Sequence, residues 1–281
     1  MHSVDSLLPL QIMSLAILAC STQGKEPSSR VPFKDDAVER ARSLEFLEGA
    51  KAAAAEYEFF IEQDRKQKLI LRPEPILRWS NREVGTVLGA VFIWTGDGRP
   101  EVVASIFNWY DNPARPVQHE LHSLALGRLT VLRAGQEVWR PAKAGVEFKP
   151  IPAGPAPAGS APQRLHQMRS LAREFSASYD EPDDQTELRL LTQPIYRYES
   201  TRPDLIDGAM FAFVQDTDPE VLLLVEARRK NGGSEWQYAF ARMQNRALQA
   251  HHKERPVWEV PDCWAQVTDR QAVYTSFFPK K

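Results

Sequence analysis

The sequence predicts an α+β protein made of two tandem homologous domains, each with one N-terminal helix packed on an antiparallel sheet of about five strands. Two stretches, Gly89–Ile106 and Gly208–Val225, align without a gap at a separation of 119 positions (208 − 89). Each joins two apolar runs through a short polar turn, which is the pattern of a β-hairpin. One helical stripe precedes each hairpin, and no helices alternate with the strands, so a parallel α/β fold is not expected.

Residues 1–20 are predicted to be a signal peptide of the lipoprotein type. Leu7–Ala19 is an apolar run, too short for a membrane span of about 20 residues and suited to a signal-peptide h-region. Ile17-Leu18-Ala19-Cys20 resembles the lipobox of bacterial lipoproteins, which makes Cys20 the candidate lipidation site. MHSVDS at the start carries no Lys or Arg, so a misplaced start codon and a cytosolic protein with an apolar first helix are the alternatives.

Residues 21–33 are then a polar tether, and residues 34–149 are predicted to form the first repeat domain. A helix is expected from about Asp36 to about Arg65, because apolar side chains recur there at every third or fourth position. They are Phe46, Ala50, Ala53, Tyr57, Phe60 and Ile61. The runs that predict the strands are Lys68–Trp79, Gly85–Thr95, Pro100–Tyr110, Glu120–Leu126 and Leu129–Trp139.

Residues 150–163 are predicted to be a Pro/Ala-rich linker, and residues 164–281 the second repeat domain. The segment PIPAGPAPAGSAP is too rich in proline for a helix or a central strand. The second helical stripe consists of Leu165, Met168, Ala172, Phe175 and Tyr179. Val221–Val225 is continuously apolar, which predicts a central strand covered on both faces. The expected layout of each domain is cystatin-like or NTF2-like in general form, and such folds serve many functions.

Composition excludes several classes of protein. A formal net charge of −2 over 281 residues gives no global field that would attract nucleic acid or an anionic membrane. Two cysteines are too few for a disulfide scaffold or a cysteine-built zinc site. The chain carries no G-x-S-x-G, G-x-G-x-x-G, P-loop or C-x-x-C motif. The sequence therefore predicts no catalytic residue, no metal site and no cofactor.

Several polar groups have competing explanations. His119 and His122 lack the spacing of a helical zinc site and would point to opposite faces of a strand, so a polar strand edge is favoured. His251-His252 fails for the same reason. Asp97 and Asp216 occupy equivalent positions, and Asp is a preferred turn residue. The set Asp216, Asp218 and Glu220 would make only a weak cation site, because the rest of an EF-hand loop is missing.

Four residues are the ligand-binding candidates: Arg78, Arg197, Trp139 and Trp258. Each arginine lies among apolar or aromatic neighbours in matching strands and is able to bind an anion bidentately. The alternative is that each packs on the sheet and pairs with a nearby carboxylate. The tryptophans either stack on a ligand or fill the core of their own domain. Cys263 is expected to be a buried small hydrophobe.

The chain after residue 20 looks like a family of exported proteins from planctomycete bacteria to which no activity is assigned. The segments that carry this resemblance are RWSN, PEVVASIF, LLTQPIYRYES, FVQDTDPE and WQYA. The resemblance implies export and a single shared architecture, and it brings no catalytic residues.

The function expected from these observations is a non-catalytic, exported, lipid-anchored binding or envelope-interaction protein. Its partner would be a small ligand or an envelope protein, and the periplasm or a membrane reached through a lipid on Cys20 would be its location. The alternative is a hydrolase-type enzyme with a site where the two repeats meet. A deep pocket with convergent polar groups and a perturbed Asp or His favours the enzyme; scattered, exposed polar groups favour the binding protein.

Overall fold

The computed structural model describes residues 36–62, 67–112, 114–180, 185–230 and 232–279. The chain forms two compact units, Met1–Glu39 and Arg40–Lys281. Only the last four residues of the first unit are described, and they form the start of the first helix. The predicted signal peptide, the tether and Cys20 lie outside the described residues.

The described chain falls into two halves of similar composition in helices and strands. The first half contains α1 (Asp36–Ala55), β1 (Tyr57–Ile61), β2 (Ile70–Leu71), β3 (Leu77–Asn81), β4 (Val87–Gly96), β5 (Arg99–Trp109), β6 (Gln118–Ser123), β7 (Leu129–Arg133), β8 (Gln136–Trp139) and β9 (Lys149–Pro150). The second half contains α2 (Ala161–Ala172), β10 (Phe175–Asp180), β11 (Gln185–Leu190), β12 (Tyr196–Tyr198), β13 (Leu205–Gln215), β14 (Asp218–Lys230), β15 (Gly233–Arg242), β16 (Leu248–His252), β17 (Arg255–Val260), a 3₁₀ helix (Trp264–Gln266) and β18 (Tyr274–Phe277).

The strands of the described residues form three antiparallel sheets. In the first half β18, β6, β5, β4 and β2 lie side by side, with β3 also paired to β4, and β1, β7 and β8 form a small sheet. In the second half the order is β17, β16, β10, β11, β13, β14, β15 and β9, with β12 also paired to β13. Strands 119 positions apart have corresponding neighbours in the two halves. The exception is that β10 pairs with β11 in the second half, whereas their counterparts β1 and β2 are connected only by a bridge between Phe60 and Lys68.

The α+β fold class predicted from the sequence is wrong, as is the cystatin-like or NTF2-like domain of one helix and about five strands. Strands make up 49% of the structure, which is mostly β. Helix α1 ends at Ala55, about ten residues before the predicted end, and Tyr57–Ile61 is strand β1. Helix α2 likewise ends at Ala172, and β10 begins at Phe175. In both halves a helix passes directly into an alternating strand, and the apolar spacing across that junction imitates a longer helix.

Three apolar clusters form the core of residues 40–281. One lies between α1 and the face of its sheet that carries Phe92 and Ile106. A second lies between α2 and the face that carries Phe211 and Leu223. The third joins the opposite faces of the two sheets and contains Val91, Ile93, Val103, Met210, Leu222 and Leu224. The two halves therefore share a central core, and β4, β5, β13 and β14 are buried on both faces, as predicted for Val221–Val225.

Each half also contributes its last strand to the other half. Strand β9, at the end of the first half, pairs with β15, and β18, at the end of the second half, pairs with β6. The predicted linker, residues 150–163, thus starts inside β9 and ends inside α2. These exchanged strands cover edges that would otherwise expose unpaired backbone groups.

Element boundaries in the two halves follow the same separation of 119 positions. Strand β7 runs from 129 to 133, and β16 runs from 248 to 252. The register of the central hairpins is interrupted at Trp94/Thr95 in one half and at Phe213/Val214 in the other. The turn residues Asp97 and Asp216 have φ angles of 53° and 51°. The turn role predicted for these two aspartates is confirmed.

An aromatic ring lies over a glycine at matching positions in the two hairpins. A Cβ atom added to Gly89 would overlap the ring of Trp79, and one added to Gly208 would overlap the ring of Tyr198. Both glycines precede the apolar runs that predict the hairpins. A side chain larger than hydrogen at either position would push the ring out of the shared core.

We expect Gly89→Ala and Gly208→Ala each to lower the free energy of unfolding by about 1–3 kcal/mol, because a well-packed core does not accept added atoms. Gly49→Ala is the matched control: no atom lies within 4 Å of its added Cβ. In helix α1 that change should be neutral or stabilising by up to about 1 kcal/mol. Urea unfolding measures all three variants, and equal effects at Gly49 and Gly89 would contradict the steric explanation.

Candidate functional site

Buried charges in the central core occupy two sites, one near the start of β5 and one near the start of β14. Charges in such a place are unfavourable unless each has a partner. At the first site Arg99 is fully buried. Its Nε donates to Glu226 Oε1 over 2.8 Å, and its Nη1 donates to Glu101 Oε2 over 3.1 Å and to the carbonyl oxygen of Leu124 over 3.0 Å. This arrangement is called the Arg99 site below.

Further cations complete the Arg99 site. Arg202 Nη2 lies 2.6 Å from Glu101 Oε1, and Arg228 Nε donates to Glu226 Oε2 over 2.7 Å. Tyr198 donates its hydroxyl proton to Glu226 Oε1 over 2.7 Å. Burial alone would lower the pKa of Arg99, but the two carboxylates outweigh it and raise that pKa. Every carboxylate of the Arg99 site therefore has a guanidinium partner.

The second site is a cavity of about 160 Å³, called the carboxyl pocket below. The lining residues that matter for its chemistry are Glu120, Asp218, Glu220, Trp79, Trp109 and Trp264. Glu120 comes from β6, and both Asp218 and Glu220 come from β14, so strands of both halves build the pocket. Asp218 stands 119 positions after Arg99, and Glu220 stands 119 positions after Glu101.

The carboxyl groups of this pocket have few partners. The Tyr274 hydroxyl interacts with the Glu120 carboxyl group. Asn81 Nδ2 donates to Asp218 Oδ2 over 3.4 Å, and Ser276 Oγ donates to Glu120 Oε1 over 3.4 Å. Both are long for hydrogen bonds to a carboxylate. The Glu220 side chain is only 6% exposed and makes no hydrogen bond or ion pair with any other residue that the structure describes. A buried carboxyl group without a partner is unfavourable in the ionised form.

Burial therefore raises the pKa values of all three acids. Burial first, and the charge of Asp218 second, raise the pKa of Glu120 to about 8. Burial, with the charge of Asp216 added, raises the pKa of Asp218 above its ordinary range. Burial followed by the charges of Asp218 and Glu120 raises the pKa of Glu220, against a smaller opposing effect of Arg246. At neutral pH the pocket thus holds protons that are exchangeable for a cation.

Aromatic rings and amide donors complete the wall of the pocket. Trp264 is 59% exposed and lies in the wall together with the exposed Val84. Two buried donors in the wall, Trp109 Nε1 and Gln244 Nε2, have no acceptor among the described residues. The guanidinium of Arg115 covers one face of Trp109 at 4.2 Å from the ring centre. The pocket thus offers carboxyl oxygens and aromatic rings at once.

The four ligand-binding candidates lie away from this pocket, and each has a partner within the chain. Arg78 Nη2 donates to Ser43 Oγ in α1 over 2.7 Å. Arg197 Nη2 donates to Asp207 Oδ2 over 2.7 Å and to the carbonyl oxygen of Ala161 in α2 over 2.9 Å. The matching arginines thus attach the helices to the sheets. Trp139 is buried and donates to the carbonyl oxygen of Ala272 over 2.8 Å, whereas Trp258 stacks on Phe240 at 5.4 Å.

Of the other polar residues considered from the sequence, only some lie in the pocket. Asp216 lies in its turn, where its carboxylate accepts the amide N–H of Arg82 over 3.3 Å, while Asp218 and Glu220 enter the pocket. Among the described residues, no group of three or more His, Cys, Asp or Glu side chains is arranged to hold a metal ion. The polar strand edge predicted for His119–His122 is not observed: β6 pairs on both sides and is buried throughout. Tyr57 and His119 share a hydrogen bond of 2.7 Å.

Sequence reasoning missed Glu120, Trp79 and Trp264 as members of the site. Their convergence depends on how the two sheets face each other, which periodicity does not reveal. One signal was nevertheless present in the sequence: at matching positions of the two hairpins, the first half has Arg99 and the second half has Asp218. A buried positive charge needs a negative partner, and a buried negative charge needs a positive one. The change from arginine to aspartate at this position therefore indicates that the two sites have different partners.

Comparisons of the chain with protein-family models, with curated proteins and with solved structures give no match. The class that the fold and the pocket define is thus a mostly β protein of two matched halves, with an acidic, tryptophan-lined pocket at their junction. Within the described ranges, no helix has the length and apolar character needed to cross a membrane. The resemblance to exported planctomycete proteins stays a prediction.

The raised pKa of Glu120 makes stability depend on pH. Its folded pKa of about 8 lies above the ordinary value of 4.5, so its contribution is fully present below pH 4.5 and is lost as pH rises through 8. Burial lowers the pKa of His119 and of His122 from 6.5 to about 4, so their contribution is lost as pH falls through that range. Only the carboxyl effect acts between pH 6.5 and 8.

We therefore expect the free energy of unfolding to fall between pH 6.5 and pH 8, with a slope of up to about 1.4 kcal/mol per pH unit for each protonated carboxyl group. Glu120→Gln should reduce this slope by the share of one carboxyl group, because Asp218 and Glu220 still contribute, and the exposed Glu259→Gln should leave it unchanged. Urea unfolding at fixed ionic strength measures the slopes. A wild-type profile that is flat in this window, or a slope in Glu120→Gln as steep as that of the wild type, would contradict the assignment.

Proposed function

We propose that this protein is a non-catalytic binding protein that takes up a small polar molecule in the carboxyl pocket between its two halves. The observation that carries the proposal is Glu220, which is buried, faces the pocket and has no partner among the described residues. Buried side chains without a protein partner are uncommon in folded proteins, and water or a bound group in the pocket is then their partner. Pockets at the junction of two structural units are common ligand sites.

The pocket's small volume and mixed lining fit binding of one compact group. Drug-sized ligands occupy pockets of about 300–1,000 Å³, and this cavity is about 160 Å³. The exposed ring of Trp264 offers further surface to the part of a ligand that remains outside. Recognition would combine hydrogen bonds to the carboxyl groups with stacking on tryptophan.

Export and a lipid anchor belong to the same proposal. The apolar run Leu7–Ala19 followed by Cys20 supports delivery to the periplasm or to a membrane surface. The partner would be a small ligand or an envelope protein. Descent from a duplicated ancestor accounts for the separation of 119 positions shared by the two halves. One half would then have kept a filled polar site, while the other half acquired an open one.

A hydrolase-type enzyme is the second candidate, favoured by the pKa of about 8 at Glu120. A carboxyl group that keeps its proton at neutral pH is suited to act as a general acid. Burial raises the pKa of the Cys263 thiol, which makes it a poorer nucleophile. Convergent polar groups and a perturbed Asp218 also agree with the expectation for an enzyme. We rank the binding function higher, because the described residues of the pocket wall include no nucleophile paired with a base.

The proposal is tested with purified protein and a fixed panel of amino acids, polyamines, hexoses and dicarboxylates. At least one compound should raise the Tm and change tryptophan fluorescence, because three tryptophans line the pocket. Glu220→Gln and Trp264→Ala should abolish both responses, and Glu259→Gln should preserve them. If every response persists in Glu220→Gln, the pocket is not the binding site. Hydrolysis of chromogenic esters or glycosides that is lost in Glu120→Gln would favour the enzyme instead.

A further inference from the structure

We propose that the carboxyl pocket binds a guanidinium cation, because it is the counterpart of the place that the Arg99 side chain fills in the other half. The inference rests on the proposed binding function and goes further by naming the chemical group that is bound. A residue's counterpart is the residue 119 positions away in the other half.

The surroundings of Arg99 recur around the pocket, position by position. Glu101, which holds Arg99, has Glu220 as its counterpart, and the amide N–H groups that follow β6 and β15 bond to these two residues in the same way. Leu124 donates to the Glu101 carbonyl oxygen over 2.8 Å, and Met243 donates to the Glu220 carbonyl oxygen over 2.8 Å. Met243 also lines the pocket. The backbone frame is therefore the same in the two sites.

The side chains around this backbone frame differ between the two sites: polar and charged residues at the Arg99 site are replaced mainly by aromatic residues at the pocket. In place of Tyr198, Glu226 and Arg228, the pocket has the aromatic residues Trp79, Phe107 and Trp109. In place of Arg99 it has Asp218, which is shorter and of opposite charge. The volume that a guanidinium fills in one half is thus open in the other, and its walls are aromatic.

The chemistry of the open site favours a planar organic cation. Carboxyl oxygens of Asp218, Glu220 and Glu120 are acceptors for the N–H groups of a guanidinium, and aromatic faces attract such a cation. A metal ion fits less well, because no three acidic or histidine side chains of the described chain converge as ligands.

The cations already near the pocket are engaged elsewhere. Arg242 donates to the carbonyl oxygens of Gln244 and Pro261, each over 2.9 Å. Arg246 lies over the ring of Tyr179, 4.8 Å from its centre, and Arg115 lies over the ring of Trp109. Neither Arg115 nor Arg242 forms an ion pair with Glu120, Asp218 or Glu220 within the described ranges, and the charges of Arg242 and Arg246 lower the pKa values of Glu120 and Glu220 by less than burial raises them. The negative charge that the three acids develop on losing their protons is therefore only partly compensated by these cations, and the remainder can attract a cationic ligand.

Isothermal titration of the full chain with arginine, agmatine and citrulline tests the inference. Arginine and agmatine carry a guanidinium, whereas citrulline has nearly the same shape with a neutral urea group. We expect both cations to bind, and citrulline to bind at least about tenfold more weakly, since hydrogen bonds between charged groups are about twice as strong as neutral ones. Equal binding of arginine and citrulline would overturn the guanidinium assignment while leaving the binding function intact.

Variants at the pocket make the test specific. Asp218→Arg places a guanidinium of the chain itself beside Glu220, as Arg99 lies beside Glu101, so it should abolish arginine binding and raise the Tm. Glu220→Gln should weaken arginine binding by about tenfold or more, and the exposed Glu259→Gln should leave it unchanged. If Asp218→Arg does not fold, Glu220→Gln still decides the question.

The outcomes separate the two proposals. Unchanged arginine affinity in Glu220→Gln, or absence of binding by both guanidinium compounds, overturns the guanidinium assignment. If a neutral member of the earlier panel then binds in a manner that depends on Glu220, the binding function stands alone. If no compound gives a response that depends on Glu220, both proposals fail.

Discussion

The packing of two β-hairpins face to face is the constraint on which this structure depends. Strands β4 and β5 of one half and β13 and β14 of the other meet in the central apolar cluster, and each hairpin also covers a helix on its opposite face. A strand buried on both faces has no solvent side to which a polar residue can be assigned. Continuous apolar runs, glycines beneath aromatic rings and exchanged terminal strands all follow from this arrangement.

Charged residues at the ends of these hairpins need partners within the protein. The Arg99 site meets this requirement by joining the halves: Arg99 belongs to β5 and its partner Glu226 to β14. Three guanidinium groups surround two carboxylates. Removal of any one of these groups would therefore leave an unpaired charge inside the protein, which is unfavourable. The carboxyl pocket does not meet the requirement internally. Protonation compensates for this at neutral pH, and a cationic ligand would do so more effectively.

The sequence predicted the parts of the fold that local pattern determines. The hairpins, the buried strand at Val221–Val225 and the turn aspartates Asp97 and Asp216 were all found, because apolar runs and turn residues lie close together in the chain. The helix ends were not found, since Tyr57 and Phe175 continue the helical spacing into a strand. The α+β class failed for this reason and because short strands such as β2 and β12 lack any period of their own.

The pocket was predictable only in part. The sequence predicts a weak cation site at Asp218 and Glu220. It places Glu120 at a strand edge, because nothing local shows that β18 pairs with β6, which lies more than about 150 residues earlier in the chain. Arg78 and Arg197 matched each other convincingly and turned out to join helices to sheets. Matched positions that keep the same residue therefore reported on architecture. The matched position that changed, Arg99 against Asp218, pointed to the site.

The protonation state of Glu120 tests the central claim, that the carboxyl pocket lacks an internal cation, more directly than any other quantity. The chemical shift of its carboxyl carbon, followed by NMR in protein labelled with ¹³C-glutamate and assigned through Glu120→Gln, reports that state at each pH. The account predicts a titration midpoint near pH 8. A midpoint near the ordinary value of 4.5 would show that the carboxylate is already neutralised within the protein, and would contradict the account.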